Sequence, residues 1–109
     1  MTLRFEIALA LAVVMALCGG AGAADRAAGR EAAAVCTPCH GASGLATAPD
    51  APNLAGNSAI YLAAQLKAYR SGTRQHEQMS IIASGLSDAD IANLAAWFSA
   101  IKLTATLPQ

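Results

Sequence analysis

The chain has 109 residues, of which 55% are hydrophobic, 13% charged and 5% aromatic, and its seven basic residues balance its seven acidic ones. A chain of this length is expected to form a single domain. Zero net charge without a Lys/Arg cluster argues against a nucleic-acid-binding protein, and the apolar fraction argues against charge-driven disorder. No apolar run has the length and flanking charges that indicate a protein with several membrane spans.

The first 24 residues have the composition of a secretory signal peptide. Arg4 is a positive charge near the start, residues 7–17 form an unbroken run of eleven apolar residues, and small residues of the A-x-A kind follow at 21–24. The apolar run is too short to cross a bilayer comfortably. We therefore predict a signal peptide at 1–24, a mature domain at 25–109 and export to the periplasm. An uncleaved N-terminal anchor and a lipid anchor on Cys18 are the alternatives.

Removal of this segment would leave about 85 residues with balanced charge, two cysteines and one methionine. Much of the remaining apolar content is alanine, which buries little area per residue, and large side chains are scarce. Small domains of this kind often need a bound group or a crosslink for stability. We therefore expect that something other than side chains fills the core.

Two helices and a long loop are predicted in the first part of the mature chain. Segment 26–35 is rich in alanine and should form a helix that ends at Pro38. Glycine and proline recur through 41–57, which indicates a loop, and a loop of 17 residues usually wraps around something. Segment 58–71 should be a helix that Asn57 or Ser58 caps and Gly72 stops.

A last helix is predicted to follow Ser87. The serine supplies a cap, and Asp88 and Asp90 lie in the first turn, where the helix dipole favours acidic groups. Apolar residues then recur every three or four positions, as on one helix face: Ile91, Leu94, Phe98 and Ile101. No segment alternates as a strand would, so the predicted fold class is all-α.

The motif Cys36-Thr37-Pro38-Cys39-His40 carries the chemical signal. In an exported chain, C-x-x-C-H is typical of covalent attachment of a c-type haem. Two cysteines three positions apart near a helical turn can form thioethers with the two vinyl groups of one porphyrin, and His40 then lies beneath the iron. A neutral imidazole keeps its other N–H for an acceptor that orients the ring.

Other interpretations of the paired cysteines fit the chain less well. A thioredoxin-like redox disulfide would need a βαβ context, which the chain does not contain. A zinc site needs four ligands, and there is no second cysteine pair. A structural disulfide between Cys36 and Cys39 is possible but strained at this spacing. We therefore predict one covalently bound haem c.

Met79 is the candidate for the sixth ligand of the iron. It is the one methionine left after cleavage, and it lies among polar residues in what we predict to be the loop before the last helix. A core-filling methionine would have apolar neighbours, whereas a thioether ligand can lie in such a loop. His76 is the competing ligand, since paired imidazoles also ligate haem iron; otherwise it is a solvated loop residue.

With these motifs in order, the sequence resembles the class I cytochromes c, within the small bacterial periplasmic branch related to the two-haem cytochromes. The resemblance runs from about Gly29 to Ile101. Besides C-x-x-C-H and Met79, the matching landmarks are Gly29, Pro52-Asn53-Leu54-Ala55-Gly56, Tyr61-Leu62-x-x-Gln65-Leu66, Tyr69-Arg70-x-Gly72-x-Arg74, Leu86-Ser87-Asp88-x-Asp90-Ile91 and Leu94-Ala95-Ala96-Trp97-Phe98. The single C-x-x-C-H and the short chain depart from the two-haem members of this branch.

This resemblance implies a cytochrome c fold, with three to five helices wrapped around one haem. It implies that the first and last helices cross where Gly29 lets Trp97 pack closely, and that the Pro52 carbonyl accepts a hydrogen bond from His40 Nδ1. Leu54, Leu66, Leu94 and Phe98 would line the haem pocket. The candidates for contact with the haem propionates are Tyr61, Tyr69, Arg70 and Arg74.

The predicted function is electron transfer, because His40 and Met79 together leave no open position on the iron. The expected partners are redox proteins such as a membrane oxidase, a cytochrome bc-type complex or a periplasmic dehydrogenase. Nucleic acid, a small-molecule substrate and stable membrane insertion after cleavage are not expected. The alternatives are a haem enzyme or sensor with a labile sixth ligand, and a cytochrome subunit of a larger oxidoreductase.

Overall fold

A computed structural model describes residues 23–109. This part of the chain contains helices α1 (Arg26–Ala32), α2 (Thr37–His40), α3 (Ala59–Ser71), α4 (Glu77–Ser84) and α5 (Asp88–Ala100), with a 3₁₀ turn at Ala33–Val35. It contains no strand, which agrees with the predicted all-α class. No helix between residues 23 and 109 is long and apolar enough to span a membrane. The predicted signal peptide lies outside the described residues except for Ala23 and Ala24, which are exposed.

The N-terminal helix differs from the expectation. Segment 26–35 was predicted as one helix ending at Pro38, but the α-helix ends at Ala32 and the chain tightens into the 3₁₀ turn. Pro38 does not end a helix; it occupies the first turn of α2, where a missing N–H removes no helical hydrogen bond. The prediction was wrong because a proline can start a helix as readily as it ends one. Gly41, with φ +77°, terminates α2.

Helices α1 and α5 make the most extensive contact between helices in the described chain. A Cβ atom on Gly29 would lie 2.0 Å from the Asn93 carbonyl oxygen and 2.9 Å from Trp97 Cβ. The same crossing is bonded at its edge, where the Asp25 backbone N–H donates to Asn93 Oδ1 at 2.7 Å. The Asp25 carboxylate in turn accepts from two backbone N–H groups in the first turn of α1. A side chain at position 29 would therefore push the two helices apart.

Helix α3 packs on α5, and α4 packs on α3. The ends of α3 agree with the sequence prediction, since the Ser58 side chain accepts from Tyr61 N–H and Gly72 ends the helix at φ +83°. At the start of α5, Ser87 and Asp90 form a capping box in which each side chain bonds the other's backbone N–H. The loop predicted at 41–57 contains no helix or strand.

Segment 77–84 is helical, which corrects the prediction that Met79 lies in a loop. His76 is the cap of this helix: its Nδ1 accepts from the backbone N–H groups of Gln78 and Met79, both at 3.3 Å. Histidine is a weak cap in general preference scales, and the helix is only eight residues long. The sequence therefore did not predict this helix, because the residues around Met79 are polar and its N-cap is a histidine.

The apolar core of the described chain is thin. Eight hydrophobic residues are buried, and four of them are alanines. The four larger ones are Leu62, Ile91, Leu94 and Phe98. Four side chains of this size bury little apolar area for a chain of this length, so the helices need a further apolar group between them.

The packing of α1 on α5 predicts that an alanine destabilises the protein more at Gly29 than at Gly85. Gly29→Ala should lower the free energy of unfolding by about 2 kcal/mol, because the new methyl group collides with backbone that cannot move independently. Gly85→Ala is the matched control, since its Cβ would meet nothing closer than 3.7 Å and its backbone is right-handed. Thermal unfolding of both variants tests this, and equal melting temperatures would contradict the packing argument.

The capping box predicts a dependence of stability on acid pH. The hydrogen bonds from the backbone and side chain of Ser87 lower the pKa of Asp90 from its ordinary value. The folded pKa lies below the unfolded one, so this stabilisation is complete above the unfolded pKa and is lost as pH falls through the folded pKa. Asp90→Asn should therefore melt below the parent protein at pH 7, and the difference should shrink toward pH ~3.

The control for this experiment is Asp50→Asn, because Asp50 is an exposed loop residue whose side chain makes no hydrogen bond within residues 23–109. Its melting temperature should follow the parent at each pH. A gap for Asp90→Asn that stays constant from pH 7 to pH ~3 would show that the carboxylate charge contributes nothing to the cap.

Candidate functional site

The two cysteines and the histidine of the motif lie on one tight turn. Cys36 joins the 3₁₀ turn to α2, and its carbonyl accepts the His40 backbone N–H at 2.9 Å. Cys36 and Cys39 are both free thiols and half-buried. Burial raises the pKa of the Cys36 thiol above its ordinary value, so it is neutral at pH 7. The two sulfurs are thus available for covalent attachment rather than paired with each other.

His40 is buried, with 6% of its surface exposed, and its ring is held by one hydrogen bond. Nδ1 lies 2.8 Å from the Pro52 carbonyl oxygen. A carbonyl only accepts, so Nδ1 carries the proton of this hydrogen bond. Within residues 23–109 no hydrogen bond is made to Nε2. A neutral imidazole with a free Nε2 is the form that ligates a metal.

The loop 41–57 is folded so that it brings Pro52 to His40. The Gly44 carbonyl accepts from the backbone N–H groups of Leu54 and Ala55, at 2.8 and 3.0 Å. Asn53 Oδ1 accepts from Ala46 N–H at 2.7 Å. Gly44 has φ +75°, and a Cβ there would lie 3.1 Å from the Phe98 ring. Sequence analysis did not assign roles to Gly44 and Asn53, although an Asn beside a Pro in a loop is a recognised turn signal.

Met79 lies in the first turn of α4 and is half-buried. Ala83, one turn further along the same helix face, is fully buried. The face that carries Met79 is therefore the face that α4 turns toward the rest of the protein. Ile81, on another face, is 71% exposed.

Five of the residues predicted for the pocket come together. Leu94 and Phe98 are buried, and Leu54, Leu66 and Trp97 pack against the same cluster. Cys36 also packs against it, so the apolar cluster adjoins the motif. Pro52 is exposed and reaches the site through its carbonyl. The Arg30 guanidinium lies over the Trp97 ring, 5.7 Å from its centre.

The four residues predicted to contact propionates separate into different roles. The Arg74 guanidinium lies 4.6 Å from the centre of the Tyr69 ring and donates to Gln65 Oε1 at 2.6 Å. Arg70 instead donates to the Leu86 carbonyl and the Asp88 carboxylate, so it joins α3 to the start of α5. Both terminal nitrogens of Arg70 are engaged in these bonds, and its contact with a propionate stays a prediction. Tyr61 is half exposed.

Two further features of the described residues lie apart from this chemistry. No group of three or more His, Cys, Asp or Glu side chains within 23–109 is arranged to hold a metal ion. A groove of about 440 Å³ is lined by small residues and two cations: Ala24, Arg26, Ala59, Ala96, Ser99, Ala100 and Lys102. None of these is a predicted site residue, so the groove is not the candidate site.

With this geometry established, comparison with known proteins identifies the family. Residues 26–102 match the family model described as cytochrome c. The chain belongs to the cytochrome c family. This confirms the resemblance noted in the sequence, and the arrangement of α1, α3 and α5 is the cytochrome c fold.

Individual relatives define the branch of the family. Cytochrome c-554(548) of Halomonas halodenitrificans is 48% identical over 80 residues, which are 71% of this chain and 96% of that protein. Cytochrome c4 of Pseudomonas aeruginosa is 40% identical over 100 residues, which are 91% of this chain and 50% of that protein. A thiosulfate dehydrogenase electron acceptor of Stutzerimonas stutzeri is 42% identical over 67 residues, 59% of this chain and 31% of that protein.

A solved structure of reduced recombinant cytochrome c4 from Pseudomonas stutzeri is also similar. It has a TM-score of 0.69 and 37% sequence identity, over 73% of this chain and 47% of that one. The chain therefore spans nearly all of cytochrome c-554(548) but about half of the cytochromes c4 it matches. The relatives support an electron-transfer haem protein.

Membership of this family implies covalently bound haem c with its iron. The residues present fit that group on three observations. Two free thiols lie on one turn, a buried imidazole keeps its Nε2 free, and an apolar cluster adjoins both. Thiols, imidazole and thioether are the donor set of a c-type haem with one histidine and one methionine ligand.

The thin core predicts that attachment of haem is needed for folding. Cys36→Ala/Cys39→Ala should lose most of its helical circular dichroism, because alanines form half of the buried apolar set and do not fill the space that haem occupies. Far-ultraviolet circular dichroism of this variant and of the haem-loaded parent tests the prediction. Native helix content in the variant would show that the side chains alone form a sufficient core.

Proposed function

We propose that this cytochrome is a periplasmic electron carrier in which Cys36 and Cys39 hold the haem and His40 and Met79 are its axial ligands. The hydrogen bond between His40 Nδ1 and the Pro52 carbonyl is the observation on which the proposal rests. It orients the ring and leaves Nε2 as the ligating nitrogen. The two free thiols on the preceding turn support the covalent attachment.

The haem supplies one-electron chemistry, with iron alternating between the ferric and ferrous states. The residues around the haem would set its reduction potential. As a ligand, the Met79 thioether would favour the ferrous state and raise the reduction potential. The apolar cluster of Leu54, Leu94 and Phe98 raises it further, because a low-dielectric surrounding disfavours the extra positive charge of ferric iron.

Met79 is favoured over His76 as the sixth ligand by the environment of each. The Nδ1 of His76 is engaged as an acceptor for two backbone N–H groups at the start of α4, and the residue is exposed. To ligate iron through its other nitrogen, Nε2, the His76 ring would have to stay in the position in which Nδ1 caps α4. Met79 lies on the partly buried face of the same helix, which supports its role as the ligand.

We further propose that electrons enter and leave across the surface beside Cys39. The exposed residues there are small or apolar and carry no charge: Ala42, Ser43 and Leu45. Such a surface suits a weak, transient contact of the small size typical of redox partners. A membrane oxidase, a cytochrome bc-type complex and a periplasmic dehydrogenase are the candidate partners, and the relative named as a thiosulfate dehydrogenase electron acceptor supports the last of these.

Two filled axial positions distinguish a carrier from a haem enzyme or a gas sensor, which need an open or labile position. The signal-like composition of residues 1–24 supports export, and N-terminal sequencing of protein from a periplasmic extract would locate the cleavage site. A mature protein that begins at Met1 and stays with the membrane fraction would contradict a free periplasmic carrier.

Replacement of Met79 tests the ligand assignment. The haem-loaded parent protein should show a low-spin c-type spectrum with the weak far-red band that reports an iron–methionine bond in the oxidised form. Met79→Ala should lose that band, lower the reduction potential and bind carbon monoxide in the reduced form, because one axial position is opened.

His76→Asn is the matched control. Asparagine is a good helix cap, so this variant should retain α4 while removing the competing imidazole. Its spectrum and potential should equal those of the parent. A far-red band that survives Met79→Ala, or that disappears in His76→Asn alone, would contradict the assignment of Met79.

A further inference from the structure

Arg70 makes the one ion pair found within residues 23–109. It lies in the last turn of α3, where one terminal nitrogen donates to the Leu86 carbonyl oxygen at 3.1 Å and the other to the Asp88 carboxylate. The Arg70 side chain is 31% exposed and the Asp88 side chain 80% exposed. An exposed ion pair by itself contributes little to stability, whereas the bond to the Leu86 carbonyl is part-buried. The contact with Leu86 therefore needs its own explanation.

The segment that Arg70 holds is the connection between α4 and α5. Leu86 N–H donates to the Ala83 carbonyl at 3.1 Å, and Gly85 N–H donates to the Ile82 carbonyl at 3.2 Å, so the segment is bonded to the end of α4. The Leu86 side chain packs against the apolar core cluster. Arg70 thus fastens the C-terminal end of α4 to α3.

The connection that precedes α4 is also attached to α3. Arg74 N–H donates to the Ala68 carbonyl at 3.1 Å, and its guanidinium bonds Gln65 one helical turn before Tyr69. Between the two attachments α4 packs on α3. A helix of eight residues has little cooperative stability of its own, so its placement depends on these attachments.

Met79 is connected to the Arg70 contact by a short rigid path. It lies one turn before Ala83 on the same face of α4, and the Ala83 carbonyl is bonded to Leu86 N–H. A slide of α4 along α3 would carry the thioether with it, and a helix rises 1.5 Å per residue, so a small slip would separate the sulfur from iron.

We propose that Arg70 is a positioning residue for Met79: by holding Leu86 and Asp88 against the end of α3, it sets the position of α4 and keeps the Met79 sulfur in place to ligate iron. This inference rests on the proposed function, because it takes Met79 as the sixth ligand. Arginine suits the role because its planar fork presents two terminal nitrogens, one to the Leu86 carbonyl and one to the Asp88 carboxylate.

Competition for the sixth position tests the proposal on the full-length, haem-loaded protein. Imidazole is added to the ferric protein, and the loss of the far-red band reports displacement of Met79. In Arg70→Ala, half-displacement should occur at an imidazole concentration about tenfold lower than in the parent, since a charged hydrogen bond to the carbonyl is lost. Far-ultraviolet circular dichroism and Trp97 fluorescence should stay at the parent values.

Three more variants separate positioning from charge and from general stability. Lys67→Gln is the matched control, because it removes an exposed cation one turn earlier on α3 and should leave the imidazole midpoint unchanged. Asp88→Asn should have a smaller effect than Arg70→Ala, because the bond to Leu86 remains. Arg70→Lys should lie between the parent and Arg70→Ala, and it carries the test if Arg70→Ala yields no haem-loaded protein.

The outcomes distinguish this inference from the proposed function. A far-red band absent from the parent protein would overturn the assignment of Met79 and with it the role of Arg70. A band present in the parent, with the same imidazole midpoint in both Arg70 variants, would overturn the role of Arg70 alone. A lower midpoint matched by Lys67→Gln would show that net charge, not the contact with Leu86, is responsible, and would also overturn it.

Discussion

The hydrogen bond from His40 Nδ1 to the Pro52 carbonyl is the interaction on which the site depends. It joins the motif turn to a loop that contains no regular secondary structure. The loop reaches this position through its own bonds, in which the Gly44 carbonyl accepts from the two residues that follow Asn53. Orientation of the imidazole is therefore a property of the whole loop, and a loop of this length is stable because it is bonded to itself at several points.

The small apolar core and the covalent cofactor are related, because the haem would add the apolar area that the side chains lack. The described helices meet through alanine and glycine at the α1/α5 crossing and bury few large side chains. Family membership implies a haem bound by thioether bonds, which gives this chain the apolar area and the crosslink that small domains otherwise obtain from disulfides or metals. We therefore expect folding and cofactor attachment to be coupled in this protein.

Short helices are placed by side chains rather than by their own packing. Helix α4 begins on the His76 imidazole, and the segment after it is held by Arg70. The sequence placed Arg70 among the candidates for contact with the propionates, but a motif match cannot tell which other groups an arginine side chain meets in the fold. In this fold its two terminal nitrogens donate to the Leu86 carbonyl and the Asp88 carboxylate.

The sequence alone determined the all-α class, the cap at Ser87, the stop at Gly72 and the chemical motif, because these depend on neighbouring residues in the chain. It narrowed the cap of α3 to Asn57 or Ser58, and the structure selected Ser58. It also predicted that Pro52 faces His40 and that Trp97 packs at Gly29, through resemblance to a family. Tertiary structure decided the break after Ala32, the helix that carries Met79 and the partners of Arg70. Those features depend on contacts between residues that are distant in the sequence, and local helix propensity does not depend on such contacts.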